Sequence, residues 1–171
     1  MENKYIFDLD NTLIYTNQLN NDSYNYALAR LNLQPILNCE RITRNVVYEY
    51  FPVLHSTDKE KIVQFKQQYF INHMQDTIAN NNLINFLNSY GCENCILWTS
   101  GEKNRVLALI NYYKIQNNFK EILYSSKNDL LVDVERIANI FCADYNRLIF
   151  FEDNTAIINK LKSLNLTVMQ V

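Results

Sequence analysis

Glycine and proline are scarce in this chain of 171 residues, with Gly 2 and Pro 2. No G-x-G-x-x-G and no Walker-type loop exists. That excludes the two commonest glycine-rich devices for cradling a dinucleotide or a nucleoside triphosphate. No stretch approaches the ~20 consecutive apolar residues that a membrane-spanning helix needs, so no membrane partner is expected. Charge of one sign is missing as well: Lys+Arg 16 stand against Asp+Glu 18, for a net charge of -2. Nucleic acid, whose recognition needs a basic stripe, is therefore not an expected partner.

Cysteine is present but unorganised. Cys39, Cys92, Cys95 and Cys142 form no disulfide framework, and the one C-x-x-C, Cys92 to Cys95, has no second ligand pair. These are read as incidental thiols. His55 and His73 are isolated and read as surface or cap residues. Met1-Glu2-Asn3-Lys4 leads directly into an apolar strand. The expectation is a cytoplasmic protein with no signal peptide.

What the chain does contain is enough apolar material for a core, 48% hydrophobic and 13% aromatic residues. Its length allows one domain, or one domain with a modest insertion. Lys4–Phe7 reads as a strand. Helical spacing follows at Tyr24, Ala27, Leu28 and Leu31, over 41–50, and from a capping box at Thr57-Asp58-Lys59-Glu60. A further helix runs through Leu83, Phe86, Leu87 and Tyr90 to Gly91. The pattern then alternates. Strands at Cys95–Trp98, Ile122–Tyr124, Leu148–Phe151 and Leu166–Val171 are separated by helices through Val106, Leu130 and Ile158. Continuous apolar strands alternating with helices imply a parallel sheet covered on both faces. The expected fold is an α/β, doubly wound, five-stranded sheet. The core is assigned to residues 1–14 and 91–171, with an all-helical insertion at 15–90.

The richest segment is Asp8-Leu9-Asp10-Asn11-Thr12, at the end of the first strand. Two carboxylates that close repel one another, so the site calls for a stabilising charge, most simply a divalent cation. One carboxylate can then act as nucleophile while the other moves protons. In open parallel sheets, ligands bind beyond the carboxyl ends of the strands. The residues there are Asp8 and Asp10, then Thr99 and Ser100, then Ser125, Ser126 and Lys127, then Glu152, Asp153 and Asn154. Singly, each has a plain structural role: Thr99 can cap a helix, Lys127 can be a solvated loop lysine, and Glu152-Asp153 can face a helix dipole. Together they bring carboxylates, a hydroxyl and a cation to one sheet edge, which is an inventory for phosphoryl transfer.

These segments resemble the four motifs of the haloacid dehalogenase-like superfamily. The matches are Phe7-Asp8-Leu9-Asp10-Asn11-Thr12-Leu13, Thr99 in Leu97-Trp98-Thr99-Ser100-Gly101, Lys127 before a long helix, and Phe151-Glu152-Asp153-Asn154. Asn128 stands where many members have proline, and Glu152 where many have glycine. The resemblance implies that Asp8 is the nucleophile forming an aspartyl-phosphate and that Asp10 is the acid/base. Thr99, Ser100 and Lys127 would bind the phosphoryl group. Mg²⁺ would be held by Asp8, the Asp10 carbonyl and Asp153, with Glu152 assisting. Asp10 favours a phosphatase over a dehalogenase, because a halide leaves without a proton. Residues 15–90 occupy the position of the family's cap, with Tyr15, Asn17 and Asn20 near its hinge. The implied activity is Mg²⁺-dependent hydrolysis of a small phosphomonoester, a nucleotide or sugar phosphate, by a monomer or homodimer. A phosphomutase using the same intermediate, or an idle binding protein on the same fold, are the alternatives.

Overall fold

A computed structural model describes residues 2–171. The chain divides into two compact units: Met1–Ile14 with Ala79–Val171, and Tyr15–Ile78.

In the first unit, β1 (Lys4–Phe7) leads to β2 (Ile14–Tyr15), where the chain leaves for the second unit. The second unit holds α1 (Asn17–Ala29), α2 (Arg44–Tyr50) and α3 (Ser56–Asn72). The chain returns in β3 (Ile78–Ala79), which pairs with β2 in a two-stranded sheet of their own. Then follow α4 (Asn81–Ser89), β4 (Cys95–Thr99), α5 (Lys103–Tyr112), β5 (Glu121–Tyr124), α6 (Leu130–Phe141), β6 (Leu148–Glu152), α7 (Thr155–Ser163) and β7 (Thr167–Gln170).

The main sheet has the order β5-β4-β1-β6-β7, and its strands run parallel. This is the doubly wound α/β fold that the alternation implies. β1 lies centrally, flanked by β4 (Phe7↔Leu97) and β6 (Phe7↔Phe151). The three strands therefore end within two residues of one another, and Asp8, Thr99 and Glu152 come to one edge. On one face, Ile6, Ile96, Trp98, Phe150, Val134 and Ile137 form a buried core. On the other, Phe86 of α4 meets Tyr5 at 5.2 Å and Phe151 at 5.2 Å, ring centroid to centroid. That packing ties α4 to the sheet. The second crossing between units accordingly lies at 78/79, where the sequence reading set it at 90/91.

The second unit has its own core of Tyr24, Ala27, Leu28, Ile36, Ile42, Val47 and Ile62. Two of its helix starts differ from expectation. α2 begins at Arg44, with the Thr43 hydroxyl accepting the Val46 N–H. The capping box at Thr57–Glu60 does not form: the N-cap is His55, without a side-chain cap bond, and Thr57 lies inside the first turn, where it cannot cap.

With little glycine, the chain uses other residues in left-handed backbone. Asn11, Asn32, Asn38 and Asn165 have positive φ, as do Lys114, Lys127 and Cys142. Asparagine tolerates this region better than most side chains. The four cysteines are free, and burial pushes the Cys95 thiol up to about 12, so it is no reactive thiolate at neutral pH.

Candidate functional site

Asp8 leaves β1 with its N–H donating to the Phe151 carbonyl at 3.0 Å, which places it beside the end of β6. The chain then turns sharply. Asn11 takes φ 60, and the Leu13 and Ile14 N–H groups both donate to the Leu9 carbonyl, at 3.1 and 3.0 Å. Asn80, at the start of α4, pins this turn by donating its side-chain N–H to the Thr12 carbonyl at 3.1 Å. Asp8 and Asp10 are both buried, at 6% exposure each. Paired buried carboxylates need compensating charge.

Two buried cations provide it, and they divide the work. Lys127 Nζ donates to Asp8 Oδ1 at 2.7 Å and to Glu152 Oε2 at 2.7 Å. Arg105 donates from Nη1 to Asp10 Oδ1 at 2.7 Å and from Nη2 to Asp10 Oδ2 at 2.6 Å. Burial works against both cations, but the carboxylates outweigh it and hold both above their ordinary values, so both stay charged. For Asp8 the balance falls the other way. Burial, with the charges of Glu152 and Asp10, overcomes the pairing with Lys127 and pushes its carboxyl up to about 7. Burial likewise raises Glu152, against Lys127 and the Asn154 N–H. The opposite outcomes have one cause: one ammonium is shared by two buried carboxylates, with a third close by.

Lys127 is itself held from behind. Its backbone sits at φ 57, and its N–H donates to Ser125 Oγ at 3.0 Å. Ser125 Oγ in turn donates to Asp133 Oδ2 at 2.5 Å, and Trp98 Nε1 donates to the same oxygen at 3.1 Å. Lys127 Nζ lies 4.3 Å from the centre of the Trp98 ring, a cation–π contact.

Thr99 is buried at the end of β4, where its hydroxyl accepts the Gly101 N–H at 3.1 Å. It does not cap α5; Glu102 does, accepting from the Asn104 and Arg105 N–H groups. Ser100 is exposed, just beyond the strand. Asp153 is half-buried beside Glu152, and Asn154 caps α7 through the Ala156 and Ile157 N–H groups.

A cation fits this arrangement. Asp8, Glu152 and Asp153 each offer a carboxylate oxygen, all within 4.8 Å of one another. A Mg²⁺ with oxygens at ~2.1 Å keeps its ligand atoms roughly 3–4 Å apart, and it prefers hard oxygen donors of this kind.

The sheet edge thus gathers Asp8, Asp10, Thr99, Lys127, Glu152 and Asp153, as the strand-end reading anticipates. Arg105 is the residue that reading missed. It lies within the Lys103–Tyr112 helix pattern, where a lone arginine reads as a solvated charge. Its signal in the sequence is slight: the segment Thr99-Ser100-Gly101 places a helix start, and hence Arg105, close to the site.

A family model described as haloacid dehalogenase-like hydrolase matches residues 5–169. No curated protein matches. Solved structures share the fold at low identity. A haloacid dehalogenase-like hydrolase from Streptococcus pneumoniae is 13% identical, with 99% of this chain and 84% of that one covered and a TM-score of 0.74. A structure from Haemophilus somnus, named by prediction as a phosphoglycolate phosphatase, is 16% identical over 99% of this chain and 84% of that one, with a TM-score of 0.84. One from Geobacter sulfurreducens, a HAD-superfamily hydrolase, is 12% identical over 99% and 86%, with a TM-score of 0.70. With the family model spanning nearly the whole chain and the motif residues gathered at one sheet edge, the chain belongs to the haloacid dehalogenase-like hydrolases.

Proposed function

We propose that this hydrolase is a Mg²⁺-dependent phosphatase acting on small phosphomonoesters through an aspartyl-phosphate on Asp8. The observation that carries the reading is the Asp8 carboxylate, held 2.7 Å from a buried lysine and grouped with Glu152 and Asp153 in an oxygen cluster of metal-binding dimensions. A carboxylate attacking a phosphate dianion must overcome like-charge repulsion, and the site supplies the opposite charge for that.

In the first half-reaction, an Asp8 oxygen forms a bond to phosphorus. The bond from phosphorus to the leaving oxygen breaks, and Asp10 protonates that oxygen. In the second, a water oxygen attacks phosphorus, Asp10 takes the water's proton, and the Asp8–phosphorus bond breaks to release phosphate. Lys127 and Thr99, with Ser100 at the rim, hold the phosphoryl oxygens. Asp8, the Asp10 carbonyl and Asp153 would hold Mg²⁺, with Glu152 assisting. The cation, when bound, offsets the charge on the transferring group and on Asp8. Asp10 suits a leaving alcohol, which needs a proton, and so favours phosphate esters over halides.

The helical unit Tyr15–Ile78 interrupts the chain between the segments bearing Asp10 and Thr99. We assign it the selection of substrate, and the working partner is a small phosphorylated metabolite such as a nucleotide or sugar phosphate, in the cytoplasm. The Haemophilus somnus structure is named for activity on a small organic phosphate, which is the same class.

The test is phosphate release from a panel of small phosphomonoesters with Mg²⁺, together with intact-mass detection of a phosphorylated Asp8. Mg²⁺-dependent turnover that Asp8→Asn abolishes is expected. Turnover that persists in purified Asp8→Asn removes the nucleophile assignment.

A further inference from the structure

We propose that Arg105 is the positioning residue of Asp10, and that Gly101 is glycine so that the Arg105 guanidinium fits beside it. The inference rests on the phosphatase reading and adds a residue that the four motifs do not contain. Both partners are below a tenth exposed, Arg105 at 7% and Asp10 at 6%. Their two bonds run in parallel, Nη1 to Oδ1 at 2.7 Å and Nη2 to Oδ2 at 2.6 Å. A fork of this kind fixes the plane of the carboxylate as well as neutralising it. It takes two of the roughly four acceptor sites on a carboxylate, one on each oxygen. The direction in which each Asp10 oxygen faces the reacting atoms is therefore set by Arg105.

The division of charge supports the same assignment. Lys127 is committed to Asp8 and Glu152, so Asp10 needs a cation of its own. Arg105 reaches it from the first turn of α5, where its N–H is fixed by Glu102. A Cβ at Gly101 would lie 2.7 Å from Arg105 Nη2 and 2.6 Å from Val106 Cγ2. A side chain there would force the guanidinium or the Val106 side chain to shift. The loop after β4 thus has two functions: it presents Thr99, and it leaves room for the clamp on Asp10.

The role is that of a positioning residue, because Arg105 acts through Asp10 on the proton transfers. Arg105→Lys keeps the charge and loses the planar fork. With an alkyl phosphate such as β-glycerophosphate, the variant should lose ~10–100-fold in kcat, less than the ~10²–10⁴-fold of losing the general acid–base group outright, while KM changes little. The decisive readout is a double-mutant cycle with Asp10→Asn. It is run on p-nitrophenyl phosphate, whose leaving group departs without a proton, so that the cycle reads the second half-reaction, where Asp10 takes the water's proton. In Asp10→Asn, adding Arg105→Lys should change kcat by less than about twofold, because the residue it positions is already disabled.

Additive losses, a KM effect larger than the kcat effect, or a rise in kcat on substitution would each overturn the inference. The first two would assign Arg105 to direct substrate binding or to general stability, the third to restraint of Asp10. Should Arg105→Lys fail to fold, Gly101→Ala, whose Cβ would crowd Arg105 Nη2 while keeping both charges, should lower kcat on the alkyl phosphate and show the same non-additivity with Asp10→Asn on p-nitrophenyl phosphate; additive losses there overturn the inference. Wild-type protein that hydrolyses neither ester overturns the phosphatase reading and this inference with it. Active wild type with an additive cycle overturns the inference alone.

Discussion

At the scale of single residues, the site is governed by how few cations serve how many buried carboxylates. Asp8 shows the consequence. Its carboxyl rises to about 7 from an ordinary value of 3.8, because burial and the neighbouring Glu152 and Asp10 outweigh Lys127. The folded state therefore keeps this proton where the unfolded chain has lost it. Asp8's contribution to stability is full below about pH 4 and is lost as pH rises through about 7. Asp8→Asn removes that dependence. In chelator, the melting temperature of Asp8→Asn relative to wild type should rise from pH 5 to pH 8; a constant difference across that range would show that Asp8 is ionised throughout. Since protons and cation compete for this carboxylate, the acid limb of the pH–rate profile should move to lower pH as Mg²⁺ is raised. A limb that does not move with Mg²⁺ would separate Asp8 from the metal. Asp10→Asn should cost ~10²–10⁴-fold on an alkyl phosphate, the usual range for a lost proton donor.

At the scale of elements, the strand ends deliver the site and the helix starts support it. Asp133 of α6 is buried and accepts from Trp98 of β4 and from Ser125 just after β5. It thereby joins two strands and one helix behind Lys127. Asp133→Ala leaves the buried indole N–H and the half-buried Ser125 hydroxyl without that acceptor, which should cost about 1–3 kcal/mol. Urea unfolding followed by fluorescence measures this directly, because Trp98 is the single tryptophan of the chain. The emission of the folded variant should also shift, since the indole loses its hydrogen bond. Unchanged stability would show that solvent or another group takes over both donors. The five strands of the main sheet and the α5, α6 and α7 helices are legible in the sequence, because apolar runs and 3.6-residue spacing are local signals; the two-residue strands β2 and β3 carry no such run and are not legible there. The capping box at Thr57 is an example of a local signal that fails. Its residues match the pattern, yet the chain turns into the helix at His55, and a cap needs non-helical backbone at its own position.

At the scale of the whole molecule, the chain forms two units with separate cores, and the assigned site residues lie in one of them. No described helix is long and apolar enough to cross a membrane. Mg²⁺ dependence is the property that tests the site as a whole. Activity should vanish in chelator and return with Mg²⁺, and Ca²⁺, with its larger and looser coordination, should inhibit. Asp153→Ala should raise the Mg²⁺ concentration needed for half-maximal activity more than Glu152→Gln does. Glu152→Gln should be the more destabilising of the two, because Glu152 is 2% exposed and bonded to Lys127. The reverse order in both measurements would exchange the roles of the two acids.

The sequence alone determined the sheet, its strand ends and the residues placed there. Asp8, Asp10, Thr99, Lys127, Glu152 and Asp153 each follow an apolar strand that is recognisable in isolation, and parallel strands necessarily bring such positions to one edge. The tertiary structure decided which charges pair. Lys127 bridges Asp8 and Glu152 across 119 and 25 residues of chain, and Arg105 reaches Asp10 across 95. No local pattern encodes those distances. It also decided that α4 belongs with the sheet, through Phe86 packing on Tyr5 and Phe151. Apolar spacing marks which face of a helix is buried but carries no information about the surface that buries it. The same limit hid Arg105: its burial and its partner exist only once β1 and β4 lie side by side.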